Sequence, residues 1–184
     1  GNPQRSCVSI PYVPDLNPQG AFSFEVWARP TSIPGPTDDY RCPIGNFGGW
    51  GTGGGSGSGW FIYQTPGAGS TFVCVFMPTY TWISTAYSPL NRYHLVGTFD
   101  GTNGSFYVNG ALIGTQAAKE YLPNPANALT LGQRADGYGY FDGNLDEVAI
   151  YTNALSAARI LEHYQVGKNS FRAPTEPKII QDPA

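Results

Sequence analysis

Short alternating and apolar runs recur along the chain, separated by clusters rich in glycine, proline, asparagine and aspartate. Residues 22–28 set the pattern. Phe22, Phe24, Val26 and Ala28 fall on one face of an extended strand, and Ser23, Glu25 and Trp27 on the other. The same signals predict strands over 6–10, 41–47, 60–64, 71–77, 81–87, 93–100, 105–109, 111–116, 128–132 and 144–151. Many short strands with turn residues between them make an all-β sandwich or jelly roll. Asn109-Gly110 joins two of them, and both residues readily take the positive φ of a type I′ hairpin turn. Asp100 to Gly104 forms a longer reversal just before. One helix is predicted near the end. Ser156 is its N-cap, and Leu155 and Ile160 form a hydrophobic staple. Ile160, Leu161 and Tyr164 share a face, and Gly167 ends the helix.

Composition narrows the function classes. Charged residues are 12% of the 184, against roughly 25% in an average domain. With 24 glycines and 12 tyrosines, the chain favours strands and turns over charged helices. Net charge is −3 and the ten lysines and arginines are scattered, so no basic stripe for nucleic acid stands out. No apolar run approaches the roughly 20 residues of a spanning helix, so membrane insertion is not expected. The first residue is Gly1 rather than Met, which suggests an excised or processed piece of a longer protein.

Three cysteines, Cys7, Cys42 and Cys74, match no zinc spacing. Two readings stand: a Cys42–Cys74 disulfide with Cys7 left over, or three buried free thiols. Residues 48–59 are glycine-rich, either a flexible connection or a rim loop carrying Trp50 to a ligand. The proline-bearing run 173–184 reads as an extended linker.

Four motifs in order carry a family resemblance. Phe22 to Pro30 (FSFEVWARP) is similar to the second strand of laminin-G-like/concanavalin A-like domains. Tyr93 to Gly101 (YHLVGTFDG) resembles their WHHVAGTYDG strand, with Tyr93 in place of the usual Trp. Phe106 to Gly110 (FYVNG) resembles their LYVNG hairpin. Phe141 to Tyr151 (FDGNLDEVAIY), followed by Ala154-Leu155-Ser156, resembles their late strand and helix entry. The resemblance spans about residues 6–167. It implies a two-sheet antiparallel jelly-roll sandwich with one short C-terminal helix over 1–168. Residues 169–184 would lead to a following domain, of immunoglobulin-like type on the resemblance of the tail. It also implies a module of a large secreted or surface protein, often bacterial, that binds glycans or proteins, some members being attached to glycoside hydrolases.

The fold also hosts glucanases and lyases, so catalysis must be weighed. Retaining glucanases need two carboxylates about 5–5.5 Å apart. The nearest match here is Asp146-Glu147, and strand alternation puts those two on opposite faces. Glu25 and Glu147 could meet across strands, but a structural role is expected for both. His94 and His163 lie in no nucleophile motif. A non-catalytic binding module is therefore the expectation, with a glycan as ligand; a protein-binding adhesive spacer is the alternative, ahead of a divergent lyase or glycosidase. Sugar rings stack on aromatic faces and their hydroxyls bond polar groups. The candidate ligand-binding residues are Trp50, Trp60, Tyr80, Trp82, Arg134, Asp136, Tyr138 and Tyr140, with Trp60 and Trp82 also readable as core or sheet-face positions. Related modules often hold a structural calcium ion, and the resemblance implies one here. The oxygen donors Asp15, Asn17, Asp142 and Asp146 are candidate ligands for one, or else simply cap turns.

Overall fold

The computed structural model describes residues 6–47 and 57–170. Its strands are β1 (Val8–Ile10), β2 (Phe22–Pro30), β3 (Arg41–Gly45), β4 (Trp60–Gln64), β5 (Thr71–Phe76) and β6 (Ile83–Ala86). They continue with β7 (Tyr93–Phe99), β8 (Asn103–Val108), β9 (Ala111–Ala117), β10 (Leu129–Leu131) and β11 (Gly143–Tyr151), followed by helix α1 (Ala157–Ser170). Each matches a predicted strand to within two residues at either end. A six-stranded antiparallel sheet runs β1-β10-β3-β4-β5-β6, and a five-stranded one runs β11-β2-β7-β8-β9.

The two sheets close over one core. Phe22, Phe24, Val26 and Ala28 of β2 point inward, as the alternation requires, against Trp60, Ile62, Phe72, Cys74 and Phe76 of the other sheet. Phe24 and Trp60 stack at 3.7 Å between centroids with 10° between planes. The Phe24 ring lies where any β-carbon on Gly97 would stand, which is why β7 carries glycine opposite it. Tyr93 packs partly buried against this core, as the usual Trp would. The hairpin forms with φ of 52° at Asn109 and 79° at Gly110.

The outward face of β2 is covered as well. Ser156 caps α1 by accepting the Arg159 N–H at 3.2 Å. Leu155 and Ile160 pack with Val96 and Tyr107, and Ile160 is fully buried. Ser23 anchors the approach, accepting the Leu155 N–H at 2.8 Å and donating to the Asn153 carbonyl at 2.9 Å. Gly167 does not end the helix, which runs on to Ser170 and across the expected 168/169 boundary. Gly167 sits against Trp27 so closely that a β-carbon there would approach the indole to 2.5 Å. Glycine is thus used for contact, not for termination. Leu161, though 42% exposed, lies with Tyr164 against Gly110 of the hairpin, so the two share a flank of the helix.

The thiols resolve against the disulfide. All three cysteines are free, with Cys42 and Cys74 buried and Cys7 exposed. Cys74 joins the inter-sheet core while Cys42 joins the cluster on the outer side of the six-stranded sheet, so the two thiols face different layers.

Candidate functional site

Strands β4 and β5 are apolar on both faces, because their outer side is buried too. Cys42, Phe61, Tyr63, Val73, Val75 and Met77 form that outer layer with Phe47. Aromatic rings run along it. Phe47 and Phe61 lie 4.6 Å apart, and Phe61 and Tyr63 5.3 Å apart. Tyr63 then meets Tyr40 at 5.1 Å and Trp82 at 5.9 Å, with planes at 89° and 79° to its own. Tyr40 leads into β3 and Trp82 into β6, so they approach Tyr63 of β4 from opposite sides. Tyr40 is 41% and Trp82 45% exposed, while Tyr63 is buried. Tyr80 lies 6.0 Å from Trp82, and its hydroxyl shares a 2.9 Å hydrogen bond with that of Tyr63. Burial, then that hydrogen bond, pushes the Tyr63 phenol far above its ordinary value, so it stays protonated. The Gln116 side chain holds Trp82 by both backbone groups, accepting its N–H at 2.8 Å and donating to its carbonyl at 2.9 Å.

The 134–140 loop adjoins the Tyr40 end. Arg134 forks onto Asp136 at 3.1 and 2.7 Å and reaches Asp39 at 3.3 Å. Burial opposes the charge of Asp136, but the Arg134 fork outweighs it and holds the carboxyl below its usual range. Asp136 also accepts the Tyr138 N–H at 3.2 Å, and Tyr138 is 64% exposed. Tyr140 pairs with Cys42 in an isolated parallel bridge, stitching the loop to β3. Six of the expected binding residues thus gather around Tyr40 and Tyr63: Tyr80, Trp82, Arg134, Asp136, Tyr138 and Tyr140. Trp60 does not join them. It is fully buried between the sheets on Phe24, and is a core residue. Trp50 lies outside the described residues. Tyr40 and Tyr63 were missed by sequence reasoning; the signal for Tyr40 was its place in a polar loop, Asp38-Asp39-Tyr40.

On the opposite face of the molecule a second group gathers beneath α1. Glu25 of β2 points outward, accepting the Tyr151 hydroxyl on Oε1 at 2.6 Å. Its Oε2 meets His94 Nε2 at 3.2 Å and His163 Nδ1 at 3.0 Å. Burial raises its pKa, but the hydrogen bonds from His94, Tyr151 and His163 and the charge of His163 win, leaving it at about 2. Glu147, Arg159 and Glu162 line the same cleft of about 470 Å³. The expected alternation fails here. Asp146 pairs with Trp27 and Ala149 with Glu25, so a β-bulge lies between them. Glu147 sits in that bulge with φ of 49°. It lines the cleft of Glu25 while Asp146 lines a neighbouring one with Arg29 and Arg92, both beside Trp27. The two carboxylates therefore share the outer face, where alternation had placed them apart. Chemically, Glu25 acts as a structural acceptor: three donors meet its two oxygens and tie β2, β7, β11 and α1 together.

Comparison of sequences matches residues 3–161 to the family described as the concanavalin A-like lectin/glucanases superfamily. The chain belongs to that superfamily. No curated protein matches it. Among solved structures, this concanavalin A-like chain is similar to the botulinum neurotoxin serotype G binding domain, with TM-score 0.66 and 13% identity. The match covers 92% of this chain but 42% of the toxin domain, so the chain spans well under half of that relative. It is also similar to domain 4 of the extracellular arabinanase AbnA from Geobacillus stearothermophilus, solved with arabinotriose, with TM-score 0.57, 18% identity, and coverage of 84% and 71%. A heptameric pentraxin from Limulus polyphemus matches with TM-score 0.56, 11% identity, and coverage of 84% and 79%. At these identities the likeness concerns the fold.

The calcium ligands expected for a concanavalin A-like module do not converge. Asn17 bonds Asn46, just past one end of β3, while Asp142 faces Ser32 and Arg41 at the other end. A strand of that length separates them by roughly 15 Å, too far for one ion with ligands at about 2.4 Å. Asp142 already accepts Thr31 and Ser32 hydroxyls at 2.6 Å each. Asp146 faces Arg92 at 3.7 Å and accepts the Glu147 N–H at 3.0 Å, and Asp15 is exposed. Among the described residues no three acidic, histidine or cysteine side chains are placed to hold a metal ion. The set does not fit calcium.

Proposed function

We propose that this chain is a non-catalytic binding module of a larger extracellular protein, and that its ligand is a glycan held at the aromatic end of the six-stranded sheet. One observation carries the reading: Tyr40 and Trp82 stand exposed on either side of the buried Tyr63. Such a slot offers flat faces to the C–H side of a sugar ring. Asp136 and the Tyr63–Tyr80 hydroxyl pair supply acceptors and a donor for ring hydroxyls. The backbone of the site is preorganised, since Gln116 holds both main-chain groups of Trp82 and the Arg134 ion pairs brace the loop. The similar arabinanase domain was solved with arabinotriose, and the similar toxin domain is a binding domain. The arabinanase is an extracellular enzyme, which supports an extracellular setting for this module. No described helix is long and apolar enough to cross a membrane.

The non-catalytic part rests on Glu25. A nucleophile or general base needs a carboxylate oxygen free to reach substrate, and both oxygens of Glu25 are engaged. The test is affinity electrophoresis through immobilised polysaccharides, with Trp82→Ala and Tyr40→Ala beside the parent chain. Retardation that both substitutions abolish, with unchanged melting, is the expected result. Undiminished retardation in both variants moves the site elsewhere. Polysaccharide turnover abolished by Glu25→Gln makes the chain an enzyme and ends this reading.

A further inference from the structure

We infer that the glycan taken by this aromatic face is uncharged; the inference rests on the binding reading above and specifies its ligand. It comes from the charge around Tyr40. That ring sits in the run Asp38-Asp39-Tyr40-Arg41, and the 134–142 segment folds against it. Among the described residues, the guanidinium groups tied into this rim are those of Arg41 and Arg134. Each is already paired twice. Arg41 meets Asp38 at 3.0 Å and Asp142 at 3.5 Å. Arg134 meets Asp136 at 2.7 Å and Asp39 at 3.3 Å.

Four carboxylates thus surround two guanidinium groups, and the rim carries an excess of two negative charges. Neighbouring donors favour ionisation. Backbone and Arg41 hydrogen bonds depress Asp38, and the Ser32 and Thr31 hydroxyls depress Asp142. A uronate or sulfate seated on Tyr40 would lie within about one screening length of that excess, roughly 10 Å in dilute salt. It would find both arginines committed to aspartates. An uncharged sugar meets no such opposition. It needs apolar faces for its C–H side and acceptors for its hydroxyls, and ionised aspartates are acceptors.

The test is affinity electrophoresis through neutral arabinan and xylan and through acidic polygalacturonate and heparin, backed by an array of neutral and acidic glycans. It is run in dilute buffer and in about 0.5 M salt, where the screening length shrinks to a few ångströms. Retention on a neutral polymer, unchanged by salt and at least tenfold weaker on the acidic ones, is expected. Asp136→Asn frees one arginine contact and should narrow that gap severalfold. Retention on acidic polymers above neutral ones, still lost in Trp82→Ala, overturns the inference and leaves the binding reading standing. Absence of retention across all polymers and array positions removes the binding reading itself.

Discussion

Replacing Glu25 by glutamine isolates the charge of the buried cluster beneath α1. The substitution keeps size and shape and removes the anion that three donors were arranged to meet. Lowering the carboxyl from an ordinary 4.5 to about 2 is worth roughly 3 kcal/mol at neutral pH. The sign follows from the direction of the shift. A depressed folded pKa contributes stability that is complete above about 4.5 and is lost as pH falls through about 2. The parent chain should therefore exceed Glu25→Gln by roughly 3 kcal/mol at pH 7, equivalent to about 6–12 °C in melting temperature for a chain of this length. The gap should close between about pH 4.5 and 2. Other depressed carboxylates, Asp38, Asp136 and Asp142 among them, titrate in both proteins and cancel in the difference. Urea unfolding at pH steps from neutral into acid measures it. A gap that stays constant across the acid range, or that is under about 1 kcal/mol at neutral pH, refutes the claim that the anion holds helix and sheet together.

The remaining predictions concern packing and ions. Gly167→Ala gains up to about 1 kcal/mol of helix propensity but drives a methyl into Trp27, so calorimetry should show a net loss of about 1–3 kcal/mol; a stabilised variant would mean the contact is loose. Glu147→Gly should stabilise by on the order of 1 kcal/mol, because it relieves a φ of 49°; a loss in urea unfolding would show that the glutamate side chain holds the bulge. Trp60→Ala should cost about 3–5 kcal/mol and Trp82→Ala less than about 1 kcal/mol, since one indole is fully buried and the other half exposed; equal losses in denaturant titration contradict that division. Chelation with EDTA should leave the melting temperature unchanged, and a drop of several degrees would mean that calcium binds through oxygens other than the expected four.

Local patterns in the sequence determined the strands, the Asn109-Gly110 hairpin and the start of α1, because each depends on neighbours one to four residues away. The inward face of β2 was legible for the same reason: its two faces differ in polarity. Where both faces are apolar, as in β4 and β5, alternation carries no information about layers. Trp60 and Trp82 thus read alike in sequence, and Cys42 and Cys74 read as possible partners. Pairing between distant strands decided the rest. The bulge that turns Glu147 beside Glu25 arises from register against β2, and the continuation of α1 through Gly167 arises from its contact with Trp27. Tertiary closure alone brought residues 25, 94, 151 and 163 to one carboxylate, and Tyr40 to Tyr63 and Trp82. Those contacts span 19 to 138 positions of chain, a range over which only the packed sheets set distance.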